Sequence, residues 1–145
     1  AETPERAAER EPQIVRVKTG RLAEVMRDEM KPQYLAQGPR RQAVLNLCMD
    51  MAETLGADVF IRQSRALQRR RDQQSTLRKI KCPVLILCGE HDQLCTPARH
   101  QFMAELIPYS VFKVVGGAGH LPTLEQPELV TRLLNDWLAQ PLVLR

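Results

Sequence analysis

Residues Val84 to Leu87 form an uninterrupted run of branched apolar side chains, introduced by Cys82-Pro83 and closed by Gly89. Successive strand residues point to opposite faces, so this run needs apolar cover on both faces, as in the interior of a parallel sheet. The sequence offers one further strand, in which Val111, Phe112, Val114 and Val115 precede Gly116-Gly117-Ala118-Gly119. Between the two, Thr96-Pro97 supplies a cap and a first-turn proline for a helix. Ala98, Phe102, Met103, Leu106 and Ile107 share one face of that helix, and Pro108 stops it. Pro127 opens a last helix carrying Leu129, Val130, Leu133, Leu134, Trp137 and Leu138 at helical spacing. The order strand, helix, strand, helix describes an α/β unit: one right-handed parallel crossover with a closing helix. Two strands alone leave an unpaired edge on each side. Residues 1–80 show no strand alternation, so the remaining strands are expected from polypeptide outside this sequence.

Residues 1–80 read instead as successive helices. Val44, Cys48, Met51 and Leu55 recur at helical spacing, with Gly56 placed to stop the helix. A second helix starting near Asp58 aligns Phe60, Ser64 and Leu67 and ends in Arg69-Arg70-Arg71. Leu22, Val25, Met26 and Met30 mark an earlier short helix closed by Lys31-Pro32. Thr3 to Val17 also reads as helix, with a kink or break expected at Pro12. Met26, Met30, Met49 and Met51 suit either a flexible pocket lining or ordinary core packing. The expected division is therefore 1–80, helical, and 81–145, strand-helix-strand-helix.

Charge follows the same division. Through Lys81 there are 17 basic and 11 acidic residues, and from Cys82 onward 4 basic and 6 acidic. Arg62, Arg65, Arg69, Arg70 and Arg71 concentrate the excess, but aromatic residues make up only 4% of the chain. A solvated helix face fits this better than a base-stacking platform, with steering of an anionic substrate as the functional option. No nucleic-acid partner is expected. Charge or proline interrupts every apolar stretch before the roughly 18 residues of a membrane span, so no membrane partner is expected either. Ala1 to Arg16 lack the apolar segment of a secretory signal. A cytoplasmic location and reduced thiols at Cys48, Cys82, Cys88 and Cys95 are the corresponding expectations. Cys82, Cys88, His91 and Cys95 suggest zinc by composition, but Cys82 begins a strand and Cys88 ends it, unlike the tight paired knuckles of structural zinc sites. No metal site is expected.

Two polar residues follow the strands where open α/β sheets carry their chemistry, beyond the carboxyl ends. Asp92 lies in Cys88-Gly89-Glu90-His91-Asp92 and His120 in Gly116-Gly117-Ala118-Gly119-His120. An aspartate beside a histidine fixes the imidazole tautomer and stabilises its protonated form, as a general base serving a nucleophile requires. Glu90 and His91 read as loop surface or the rim of a substrate entrance, and His100 as a solvent-facing helix residue.

Residues 82–138 resemble the C-terminal part of α/β-hydrolase fold enzymes. The resemblance rests on the Cys-Pro pair opening the strand, the Gly-x-x-Asp loop, the Ile-Pro pair before the second strand, Gly-His-Leu, Glu-Gln-Pro-Glu and the terminal Trp-Leu. It implies a partial α/β-hydrolase fold, with 1–80 as a helical cap and 81–145 as the C-terminal core portion. It also implies Asp92 and His120 as acid and base of a catalytic triad, in the family's chain order, and no cofactor. The family's nucleophile elbow, Gly-x-Ser-x-Gly, is absent: Ser64 falls in a helix, Ser75 in a polar linker and Ser110 just before a strand. Cys95 sits on the acid's own loop. The resemblance thus implies part of an enzyme that hydrolyses a small ester-like substrate, inactive in isolation. The alternative is a non-catalytic interaction module. Both readings imply association, as a homo-oligomer or with a complementary N-terminal hydrolase fragment.

Overall fold

The computed structural model describes residues 3–30 and 33–141. The chain forms two compact units, one of residues up to 30 with Leu45–Gln73, the other of Gln33–Val44 with residues 74–141.

The first unit is helical. Helix α1 (Pro4–Lys18) starts from Thr3, whose hydroxyl accepts the Arg6 N–H. Pro12 lies inside α1 without ending it, so of the expected kink or break the break does not occur. Ile14 and Val17, both fully buried one turn beyond the proline, hold the helix through the lost backbone bond by tertiary packing. Helix α2 (Leu22–Val25) runs into a single π-helical turn, Met26–Met30, and Val25 and Met26 complete the buried group. The expected closure at Lys31-Pro32 lies outside the described residues. Helix α3 (Arg41–Gln68) begins in the second unit and is two helical stretches meeting at Gly56, whose φ of 79° and ψ of 175° are non-helical. Glycine adopts this left-handed φ without a Cβ penalty, which is why the stop falls there. The side chain of Gln68 donates to the Ala7 carbonyl and to Glu11, and Arg65 also pairs with Glu11, binding the end of α3 to α1. The stripe read as a helix face is only partly buried: Val44 is covered, whereas Met51 and Leu55 are exposed.

The second unit carries the sheet. A one-turn helix α4 (Gln74–Leu77), where a linker was expected, precedes strand β1 (Val84–Gly89); helix α5 (Pro97–Leu106), strand β2 (Ser110–Val115), the short α6 (Pro122–Glu125) and helix α7 (Pro127–Leu138) follow. The strands pair in parallel, from Val84 opposite Ser110 to Gly89 opposite Val115. Val115, Ala118 and Val130 form a buried cluster with Leu87, Leu129 and Leu133 packed against it. Thr96 stands at the N-terminus of α5 but makes no side-chain capping bond. On the apolar face of α5, Met103 and Leu106 are half-buried and Ile107, just past the end of the helix, is buried. Phe102 on α5 and Leu134 and Leu138 on α7 are exposed. Two strands bury only the end of β1, at Ile86, Cys88 and Gly89, while Val84, Leu85 and Leu87 are half-buried. Among the described residues no helix is long and apolar enough to cross a membrane.

Candidate active site

The loops leaving β1 and β2 lie side by side at the carboxyl edge of the strand pair because the strands are parallel and in register. Backbone bonds continue the pairing past the strands: Glu90 donates to Val115 and His91 to Ala118, at 3.0 and 2.9 Å. Gly89 makes this approach possible, since a Cβ there would lie 2.7 Å from the Ala118 carbonyl carbon. The carboxylate of Glu90 accepts the Gly117 N–H at 3.1 Å, adding a tie between the two loops.

Asp92 is buried, its side chain only 4% exposed. Its Oδ1 accepts the N–H groups of Leu94 and Cys95 at 2.9 and 2.8 Å, a local turn that fixes the carboxylate plane. The second oxygen, Oδ2, lies 2.9 Å from Nδ1 of His120. An ionised carboxylate only accepts, so this contact places the proton on Nδ1 and leaves Nε2 as the basic nitrogen. The imidazole is about a third exposed (34%), open enough to meet a reactant.

His120 is held from the other side by Gln33–Val44 of the same unit. Its N–H donates to the Tyr34 carbonyl at 2.6 Å, and the two rings are tilted at a centroid separation of 6.1 Å. Gly119 packs so closely on this segment that a Cβ would fall 2.6 Å from the Tyr34 oxygen and 2.8 Å from the Ala36 nitrogen. Beneath the loop lies the buried Glu125, whose carboxylate accepts from Ala36 at 2.7 Å, Gly119 at 2.9 Å and Leu121 at 3.1 Å. Sequence reading passed over Glu125, Tyr34 and Ala36. Glu125 stood inside the Glu-Gln-Pro-Glu pattern but read only as a helix start.

The remaining candidates do not join this pair. His91 is exposed, with Nε2 3.6 Å from Glu90, and the ring of His100 turns back to the Thr96 carbonyl. Cys82 is exposed and Cys88 buried; burial pushes the Cys88 thiol pKa up, and the negative charge of Asp92 adds to it. Among the described residues no three His, Cys, Asp or Glu side chains converge as metal ligands would. Ser64 is buried in α3, Ser75 is exposed in α4, and Ser110 starts β2 with its hydroxyl donating to Ala104. None occupies a strand-to-helix elbow.

The sequence model of the alpha/beta hydrolase family matches residues 3–133. A proline iminopeptidase of Heyndrickxia coagulans is 34% identical over 67 residues, 46% of this chain and 23% of that protein. Among solved structures, a thermophilic esterase from Thermogutta terrifontis superposes with a TM-score of 0.85 at 29% identity, covering 94% of this chain and 51% of the esterase. An esterase from Exiguobacterium antarcticum, at 22% identity, shares the fold with a TM-score of 0.79 over 92% of this chain and 48% of its own. The chain thus spans about half of these esterases and less than a quarter of the iminopeptidase.

Proposed function

Because the chain belongs to the alpha/beta hydrolase family and carries part of that fold, we propose that Asp92 and His120 are the acid and base of a Ser-His-Asp triad. The serine comes from polypeptide outside these 145 residues, and the assembled enzyme hydrolyses a small ester-like substrate. The observation that carries this reading is the 2.9 Å contact between Asp92 Oδ2 and His120 Nδ1, with Oδ1 occupied by two backbone donors. Nε2 takes the proton of the attacking serine and returns it to the leaving alkoxide, and Asp92 stabilises the imidazolium formed between these steps. The likeness to the Thermogutta esterase over most of this chain supports an ester-like substrate. In this reading residues 1–80 are the helical cap region and 81–145 the C-terminal core portion.

A second reading is favoured by the exposure of Phe102, Val114, Leu134 and Leu138: a non-catalytic module that pairs with a complementary polypeptide or with its own copy. Activity separates the two. The chain alone should hydrolyse short nitrophenyl esters no faster than its His120→Ala variant. Joined to the serine-bearing portion of the Thermogutta esterase it should turn them over, and His120→Ala or Asp92→Asn should lower kcat by about 10⁴-fold. Turnover by the isolated chain that vanishes with His120 would place a nucleophile within it. A folded, active hybrid indifferent to both substitutions would leave the pairing module.

A further inference from the structure

Glu125 is a buried carboxylate whose bonds all go to backbone N–H groups, and those groups belong to the two segments that grip His120. Gly119 and Leu121 are the residues on either side of the histidine, and Ala36 lies two residues beyond Tyr34, whose carbonyl receives the His120 N–H. Arg41 reaches the same segment, donating to the Leu35 and Ala36 carbonyls. A carboxylate satisfied in this way is far stronger as an acceptor than a neutral oxygen, and a burial of 7% exposure leaves water little access to replace it. The close fit of Gly119 against Tyr34 and Ala36 shows that the loop has no slack to rearrange toward a different bond pattern.

We propose that Glu125 is the positioning residue for His120. It locks the backbone on both sides of the imidazole to residues 34–36, so that Nδ1 meets Asp92 and Nε2 points away from it. The role rests on the catalytic reading of His120 only for its benefit to turnover; the alignment itself is a property of this chain. Glutamine at this position keeps one accepting oxygen but turns an NH₂ toward the remaining donors.

The test is the ring tautomer of His120, read by nitrogen-15 NMR of the histidine-labelled 145-residue chain at a pH where imidazole is neutral. Wild type should show the proton on Nδ1, and Asp92→Asn defines the pattern of an unaligned ring. Glu125→Gln should move toward that pattern, and Glu125→Asp, which keeps the charge but is one methylene shorter, should move part of the way and serves if the glutamine variant does not fold. Val130→Ala, a cavity in the buried cluster of the same unit, should lower stability and leave the tautomer unchanged. A wild-type tautomer in folded Glu125 variants, or an equal shift in Val130→Ala, would overturn the proposal. In the active hybrid, Glu125→Gln should lower kcat about 10- to 100-fold with KM within about twofold, as expected of a misplacement near 1 Å. Should His120→Ala leave hydrolysis intact there, the catalytic reading fails while the tautomer result still decides the alignment.

Discussion

An alanine at position 89 would put its Cβ 2.7 Å from the Ala118 carbonyl carbon, against backbone that cannot swing aside. At position 56 the surroundings are empty but φ is +79°, and at position 38 there is neither crowding nor a positive φ. The three glycines therefore separate steric contact, backbone strain and neither. Gly89→Ala should cost about 1–3 kcal/mol, Gly56→Ala about 1–3 kcal/mol, and Gly38→Ala should stay within about 0.5 kcal/mol, as read from urea unfolding midpoints. Asp92 and His120 were legible in the sequence because each sits in a glycine-bearing loop straight after a run of branched residues, and parallel strands bring such loops to one edge. Glu125 was not. Its donors are backbone amides, which leave no mark on composition, and one of them lies 89 positions away.

At the level of elements, the end of α3 is fastened to α1 by Gln68 and Arg65 converging on Glu11. The bond from Gln68 first, and that from Arg65 second, hold the Glu11 carboxyl below its ordinary range. Its folded value being the lower one, the contribution is present above the unfolded glutamate value and is lost as pH falls through the folded value. Thermal unfolding followed by circular dichroism should show wild type above Glu11→Gln at neutral pH, with the curves converging in acid below the usual glutamate range. A constant gap at every pH would mean that Glu11 acts through packing alone. Pro12 and the apolar faces show where element-level reading stops. Periodicity identifies which side of a helix is apolar, but not whether anything lies against it: α7 buries Val130 while Leu134 and Leu138 stay exposed. Helix propensity likewise could not anticipate that burial of Ile14 and Val17 would carry α1 through a proline.

Taken as a whole molecule, the second unit exposes Phe102, Val114, Leu134 and Leu138 at 46%, 45%, 40% and 61%. Each large apolar side chain left in water forgoes on the order of 1.5–3 kcal/mol of burial, against a typical total stability of roughly 5–15 kcal/mol. Association, with its own copy or a complementary hydrolase fragment, is the expected state of the purified chain. Light scattering across a dilution series should show species larger than 16.5 kDa that dissociate only at low concentration. A monomer with cooperative unfolding at micromolar concentration would show that the chain covers its sheet unaided. The hydrogen-bond ladder described above, running past the strands from Glu90 to Val115 and from His91 to Ala118 and on to His120 and Tyr34, also has a kinetic meaning. Amide hydrogens at Glu90 and His91 are held like strand amides although their residues lie in a loop. In deuterium oxide the Glu90 and His91 amides should exchange with the slow β1 and β2 set instead of with Gly116 and the outer turns, because separation of the two strands is what frees them, whereas His120, bonded to Tyr34, should exchange when the segment carrying Tyr34 lifts away. The loop that carries Asp92 would then be as long-lived at its start as the sheet that presents it.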